Sequence, residues 1–327
     1  MTAITSNRSL ALSLAVALGA SGCASFRDQL PRKVESTAPG PIAAHQMAEL
    51  WVDPGDMAAR DLLNGPGGAD MAPPEGATFR FVEKDTKGFS SGWDVDDAAG
   101  VRWSVKHGLE ARSEIVASRL LWALGYHQAP MYYVERWSIA DGPEPGPKEP
   151  GRFRRLLPGE RRTGEWSWHQ NPFVDTREYK GLLVMMRILN NWDLLERNTT
   201  FFEAAPGTPG PARKYVVIDL GASLGRTKIL PHSGTRNDVE DFEQQGYIKK
   251  VDGVEVVFDD LGRRHRELFG NLTLDDVRWV SERLARLTDA QWRDAFRAAR
   301  YDDATAERFV RKLKEKVMAG LALQATS

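Results

Sequence analysis

The sequence predicts an α+β chain in two lobes, a small β-rich one followed by a larger helical one. Three observations predict it. Short alternating runs, Thr78–Val82, Trp93–Val95 and Val101–Val105, cluster in the first third of the chain. Asp141 to Pro150 is a Pro/Gly/acidic stretch suited to a connection between lobes. Beyond it, apolar residues recur at helical spacing: Leu182, Leu183, Met186 and Leu189, then Val277, Val280, Leu284 and Leu287, then Phe309, Leu313 and Val317.

The elements follow in order. Residues 1–22 are expected to be a signal peptide, because Arg8 precedes an apolar run from Leu10 to Ala20 that is too short to span a bilayer. Ala20-Ser21-Gly22-Cys23 closes that run and is similar to a bacterial lipobox, so Cys23 is the expected lipidation site. Cys23 is the one cysteine in 327 residues, which excludes an internal disulfide and a cysteine zinc cluster. Residues 23–41 read as a tether and 42–76 as an N-terminal extension, with a short helix from His45 to Leu63 broken at Asp53-Pro54-Gly55. The small lobe is expected over 77–140 and the large lobe over 141–320. The formal net charge of −1, with basic residues spread along the chain, argues against nucleic-acid binding.

Within the small lobe, Lys87-Gly88-Phe89-Ser90-Ser91-Gly92 makes a glycine-bounded turn between strands, so Gly88 and Gly92 are candidates for laying backbone amides over phosphates. A plain hairpin is the alternative. Glu110 to Leu124 is the clearest helix: Ile115, Leu120, Leu121 and Leu124 share a face, and Gly125 supplies the stop. Ala129–Val134 is strand-like. Arg152, Arg154, Arg155, Arg161 and Arg162 form a basic cluster, read first as a solvated face. In the large lobe, Arg177–Asn190 is helical, Thr199–Glu203 and Lys214–Ile218 are strands, and Thr288-Asp289-Ala290-Gln291 is a capping box opening a helix to about Arg300. The region toward the C-terminus is expected to be all helix.

Two motifs carry chemistry. Asp193 and Asn198 stand five positions apart, and Asp219-Leu220-Gly221 ends the β-branched run Val216-Val217-Ile218. An acid and an amide in one loop, with a second acid after a strand, is how phosphoryl-transfer sites of the kinase type are written. Asp193 is placed to act on an incoming hydroxyl. Asn198 and Asp219 offer the oxygen ligands that Mg²⁺ prefers. Upstream, Lys106 ends a strand and can face the phosphates of ATP, held by Glu114 on the following helix; Glu110 is a rival partner. Lys106 as a solvated lysine, Glu114 as a helix-dipole residue, and Asp193 and Asn198 as turn caps are the bland alternatives.

The order of lobes and motifs is that of a two-lobed protein-kinase-like fold. Val105-Lys106 followed by Glu114–Gly125 resembles the corresponding segment of HipA-type kinases, and Asp193 to Asn198 has the catalytic-loop spacing of that family. The same loop resembles that of the CotH-type spore-coat kinases and the secretory-pathway casein kinases. The resemblance covers roughly residues 79–225. The histidine common in those catalytic loops is absent, with Leu194 and Leu195 following Asp193. Longer phrases such as Trp166-Ser167-Trp168 and Asn190-Asn191-Trp192-Asp193 resemble an uncharacterised bacterial lipoprotein family.

The expectation is therefore an exported, lipid-anchored atypical kinase at the cell envelope, on the periplasmic or extracellular face of a membrane. Its expected ligands are ATP and Mg²⁺, with an acceptor hydroxyl on an unknown substrate. A non-catalytic pseudokinase or binding lipoprotein is the alternative. A serine hydrolase built on Gly221-Ala222-Ser223-Leu224-Gly225, with Asp238 and His265 downstream, is the third reading. His107, His169 and His232 show no metal-ligand spacing.

Overall fold

A computed structural model of the chain describes residues 32–85, 92–226, 234–259 and 265–326. In chain order the elements are β1 (Glu35–Ser36), α1 (Ala44–Met47), β2 (Ala77–Asp85), β3 (Gly92–Asp96), β4 (Arg102–His107), α2 (Glu110–Ala123), β5 (Met131–Val134), β6 (Trp137–Ile139), β7 (Gly146–Lys148) and β8 (Gly151–Arg154). There follow β9 (Glu160–Thr163), β10 (Gln170–Asn171), α3 (Arg177–Ile188), β11 (Thr199–Ala204), β12 (Arg213–Val217), α4 (Val239–Gln244), β13 (Ile248–Asp252), β14 (Glu255–Phe258), α5 (Leu274–Leu284), α6 (Asp289–Arg297) and α7 (Asp303–Leu321). The fold is mixed α+β. Among the described residues no helix is long and apolar enough to cross a membrane.

β2 to β8 build one seven-stranded sheet in the order β5-β8-β4-β3-β2-β6-β7. Period-two alternation puts Phe79, Trp93, Trp103, Trp137 and Phe153 together in an aromatic core on one face. Their rings meet edge-on or tilted, as at Trp137–Phe153, where the centroids are 5.0 Å apart. The opposite face carries Lys106, paired in register with Gly92 on one side and Arg152 on the other.

α2 packs against β4, β5 and β8 on one side and α6 on another. Twelve of its fourteen residues are buried, so this helix is an interior element and not an amphipathic surface one. It stops where expected. Gly125 sits at φ 103°, open chiefly to glycine, and a side chain there would strike the Val52 carbonyl. The helices after residue 177 enclose the larger core, which includes Leu183, Met185, Val280, Phe296 and Phe309. Thr288 caps α6 as the sequence predicts: its side chain accepts from the Gln291 amide, and the Gln291 side chain reaches back.

Several expectations are corrected. The sheet runs past the expected boundary at residue 141, because β8 lies between β4 and β5 and Phe153 fills the aromatic core. Part of the expected tether is held down, since Glu35–Ser36 pairs in parallel with Gln170–Asn171. The helix expected from His45 to Leu63 shrinks to α1 and one 3₁₀ turn at Met57–Ala59. The C-terminal part is not all helix: β13 and β14 form a hairpin turning at Gly253, φ 61°.

Candidate functional site

The β11–β12 hairpin positions the first half of the site. Thr199 opposes Val217 in its register, and the Ile218 amide donates to the Asn198 carbonyl at 2.9 Å. The hairpin thus returns the chain so that Asp219 follows directly beside Asn198. Sequence separation between the two is only the length of a hairpin, which is why the spacing was readable.

The loop before Asn198 is locked by side-chain amides. Asn190 ends α3 in the left-handed region at φ 53°, which suits asparagine better than most residues. Asn191 Oδ1 accepts from the Asp193 amide at 3.1 Å. Asn198 Nδ2 donates to both the Asp193 carbonyl, at 2.8 Å, and the Asp193 carboxylate, at 3.1 Å. The five-residue spacing therefore has a physical reason: one amide ties the backbone carbonyl and one carboxylate oxygen of the acid five positions upstream. Oδ1 of Asn198 accepts no hydrogen bond among the described residues and is available as a ligand atom.

Lys106 supplies the second half. Its Nζ donates to Asp219 Oδ1 at 2.9 Å and lies 3.0 Å from Glu110 Oε2 and 3.6 Å from Glu114 Oε2. Glu110 and Glu114 stand one turn apart on α2, so both face the strand end. Both candidate partners are therefore engaged, with Glu110 the closer. Glu114 is fully buried and also faces Arg152 Nε at 3.4 Å and Arg154 Nη1 at 3.5 Å. Those arginines are fixed in turn by backbone carbonyls, Arg152 by Ser104 at 2.9 Å and Arg154 by Ile218 at 2.7 Å. Gly221 lets the turn approach α2, because a Cβ there would lie 2.5 Å from Glu110 Cβ.

Burial opposes the charge on Lys106, but Glu114, Asp219 and Glu110 together overcome it and hold its pKa above the usual lysine value. Burial likewise opposes ionisation of Asp219. The Lys106 charge and hydrogen bond, with Arg152 and Arg154, outweigh it and lower the carboxyl below its usual range. Arg236 closes the far side: its Nε is 2.6 Å from Glu110 Oε1, and its guanidinium lies 4.8 Å from the Trp192 ring beside Asp193.

The structure thus brings Lys106, Glu114 and Asp219 into one cluster, and Asn198 joins Asp193 to that cluster through the hairpin. Gly92 lies opposite Lys106 in the β3–β4 register, and a side chain there would meet the Val105 carbonyl. Gly88 and Cys23 lie outside the described residues. The basic cluster is not one solvated face: Arg152 is 3% exposed and belongs to the site, whereas Arg161 pairs with Glu203 at the surface. The signal was present in Gly151-Arg152-Phe153-Arg154, whose alternation sends Phe153 to the core and both arginines to the other face. Ser223 is fully buried and hydrogen-bonded to Asn191 Nδ2 at 3.1 Å, which is not the exposed setting of a nucleophile elbow.

No protein-family model matches the chain, and no curated protein matches it. Among solved structures, it is similar to the Helicobacter pylori proinflammatory kinase CtkA, at 11% identity and a TM-score of 0.35, over 77% of this chain and 100% of that one. A likeness that loose assigns neither a fold nor a function.

Proposed function

We propose that the chain is a two-lobed, kinase-like protein that binds ATP and Mg²⁺ and transfers phosphate to a hydroxyl. The observation that supports this most is the joint placement of Lys106 and Asp219 at 2.9 Å, with Asn198 delivered beside Asp219 by one hairpin.

The residues fit the ligands the reading requires. Asn198 and Asp219 would hold Mg²⁺ through oxygen, the donor that this hard ion prefers. Mg²⁺, when bound, neutralises charge on the phosphates. Lys106 has three carboxylate partners, so giving up Asp219 leaves it charged and still oriented by Glu110 and Glu114. Gly88 and Gly92, which bound a glycine-serine stretch in the sequence, are the candidates for backbone contact with phosphate. Asp193, tied to Asn198, is the group placed to orient or deprotonate the acceptor hydroxyl. The proposal includes export and a lipid anchor at Cys23, which holds the protein on a membrane face of the cell envelope.

The test is phosphate release and autophosphorylation with Mg²⁺ or Mn²⁺. Wild type is expected to turn over, and Asp193→Ala to lose turnover while keeping nucleotide binding, because its carboxylate acts on the acceptor. Nucleotide binding without transfer in wild type reduces the protein to a pseudokinase. For the anchor, Cys23→Ala is expected to leave the membrane fraction or remain unprocessed; fractionation and migration like wild type would overturn that part.

A further inference from the structure

A second cluster lies away from the Lys106 site. His169 follows the Trp166-Ser167-Trp168 phrase, and His265 and Glu267 come from the other side of the chain at the 3₁₀ turn Arg266–Phe269. The two imidazoles are 2% and 4% exposed, with ring centroids 5.1 Å apart. One potential ligand atom from each of the three residues lies within 4.8 Å of the others.

We propose that His169, His265 and Glu267 bind a divalent transition-metal ion of the zinc class, with one coordination position open to solvent. Geometry supports it. Zinc bonds of 2.0–2.2 Å in a tetrahedron set neighbouring ligand atoms about 3.3 Å apart. His169 Nε2 and His265 Nδ1 lie 2.8 and 3.7 Å from the same Glu267 oxygen, so the observed spacings bracket that value. The third pair, His169 to His265, has its ligand atoms within 4.8 Å. Two imidazoles and a carboxylate are also the donors that favour zinc over Mg²⁺ or Ca²⁺, which take oxygen.

Nε2 of His169 is the nitrogen that faces Glu267, while its Nδ1 is buried on the other side of the ring. His265 also lines a cavity of about 210 Å³ with Arg32, Glu165 and the Leu194–Arg197 segment. The site is therefore joined to the loop carrying Asp193 and Asn198. Ser167 Oγ accepts from the His169 amide at 3.2 Å and donates to Glu196 of that loop at 2.6 Å. A metal here is placed to stiffen that loop from behind, whatever the loop's chemistry.

Co²⁺ is the probe, because its visible absorption reports four- or five-coordinate nitrogen and oxygen ligation. Full-chain protein, stripped with chelator, is expected to take up one equivalent with that absorption and lose it to one equivalent of Zn²⁺. His169→Ala, His265→Ala and the volume-conserving Glu267→Gln are expected to lose the absorption or weaken affinity about tenfold or more, the effect seen when ligand environments are disrupted. Asn198→Ala and Asp219→Ala are expected to leave it unchanged, which separates this ion from Mg²⁺. Circular dichroism checks that each variant is folded. Wild type that shows no such absorption, or folded histidine variants that keep it in full, would overturn the proposal.

Discussion

Lys106 and Lys316 are both withdrawn from solvent, the first with its side chain 14% exposed and the second with 1% of the whole residue exposed, yet their surroundings push their proton affinities in opposite directions. Lys106 faces three carboxylates and is held in its charged form. Lys316, on α7, donates to the Ile188 carbonyl at 2.9 Å and to Asn190 Oδ1 at 2.8 Å, and no salt bridge anchors it among the described residues. Burial pushes its pKa well below the usual lysine value, and the charges of Arg187 and Lys312 push further against the weaker pull of Glu315. The Phe242 ring, 4.4 Å away, completes the enclosure. The contrast separates two uses of a buried amine. One is kept cationic and partly open among its three carboxylates. The other is sealed, and spends its hydrogen bonds on the end of α3, where Asn190 begins the Asp193 loop.

The comparison can be broken in order of expected effect. Glu114→Ala removes the carboxylate shared by Lys106, Arg152 and Arg154 and leaves buried cations uncompensated. It should cost about 3–5 kcal/mol in denaturant unfolding, the range for breaking a buried pair from one side. A loss well below 1 kcal/mol would mean that solvent or Glu110 compensates the cluster.

Lys316→Met should cost less, about 1–3 kcal/mol, because it strands two acceptors and no charge. Its sharper signature is pH dependence. With a depressed folded pKa, unfolding takes up a proton between that value and the ordinary 10.5, so wild-type stability gains from this group as pH rises toward 10.5. The variant should lose that slope. Lys106 has the opposite sign: its contribution is complete below 10.5 and lost as pH rises through its raised folded pKa. Lys106→Met should therefore flatten the loss of stability on the alkaline side. Matching slopes for the two variants would refute the assignment of opposite shifts.

Arg308→Ala is the exposed control. Its guanidinium pairs with Glu240 and Glu243 at the surface, where solvent screens the interaction, and its substitution should give the smallest change of the four.

Much of this was legible in sequence where the signal is local. The α2 helix was readable from Ile115, Leu120 and Leu121 and its Gly125 stop, and α6 from the Thr288–Gln291 box, because both depend on spacings within a few residues. Gly253-Val254, a two-residue loop with glycine first between β-branched runs, is a hairpin signal of the same local kind. Arg152 and Arg154 were hidden by their company: five arginines in eleven positions look solvated until β8 is known to run between β4 and β5. The His169–Glu267 pair was not legible, since 98 residues separate its members and no local spacing marks it. Asn198 and Asp219 were the intermediate case, distant in number but joined by one hairpin.

The central claim is that Lys106, Asn198 and Asp219 form a nucleotide site, and thermal unfolding with and without nucleotide tests it most directly. Wild type with ATP or ADP and Mg²⁺ at a hundred times the dissociation constant should gain about 2.7 kcal/mol, read as a raised Tm. Asp219→Ala should lose the gain and Asp193→Ala should keep it. A wild type whose Tm is unmoved by either nucleotide, with Mg²⁺ or Mn²⁺, would contradict the account.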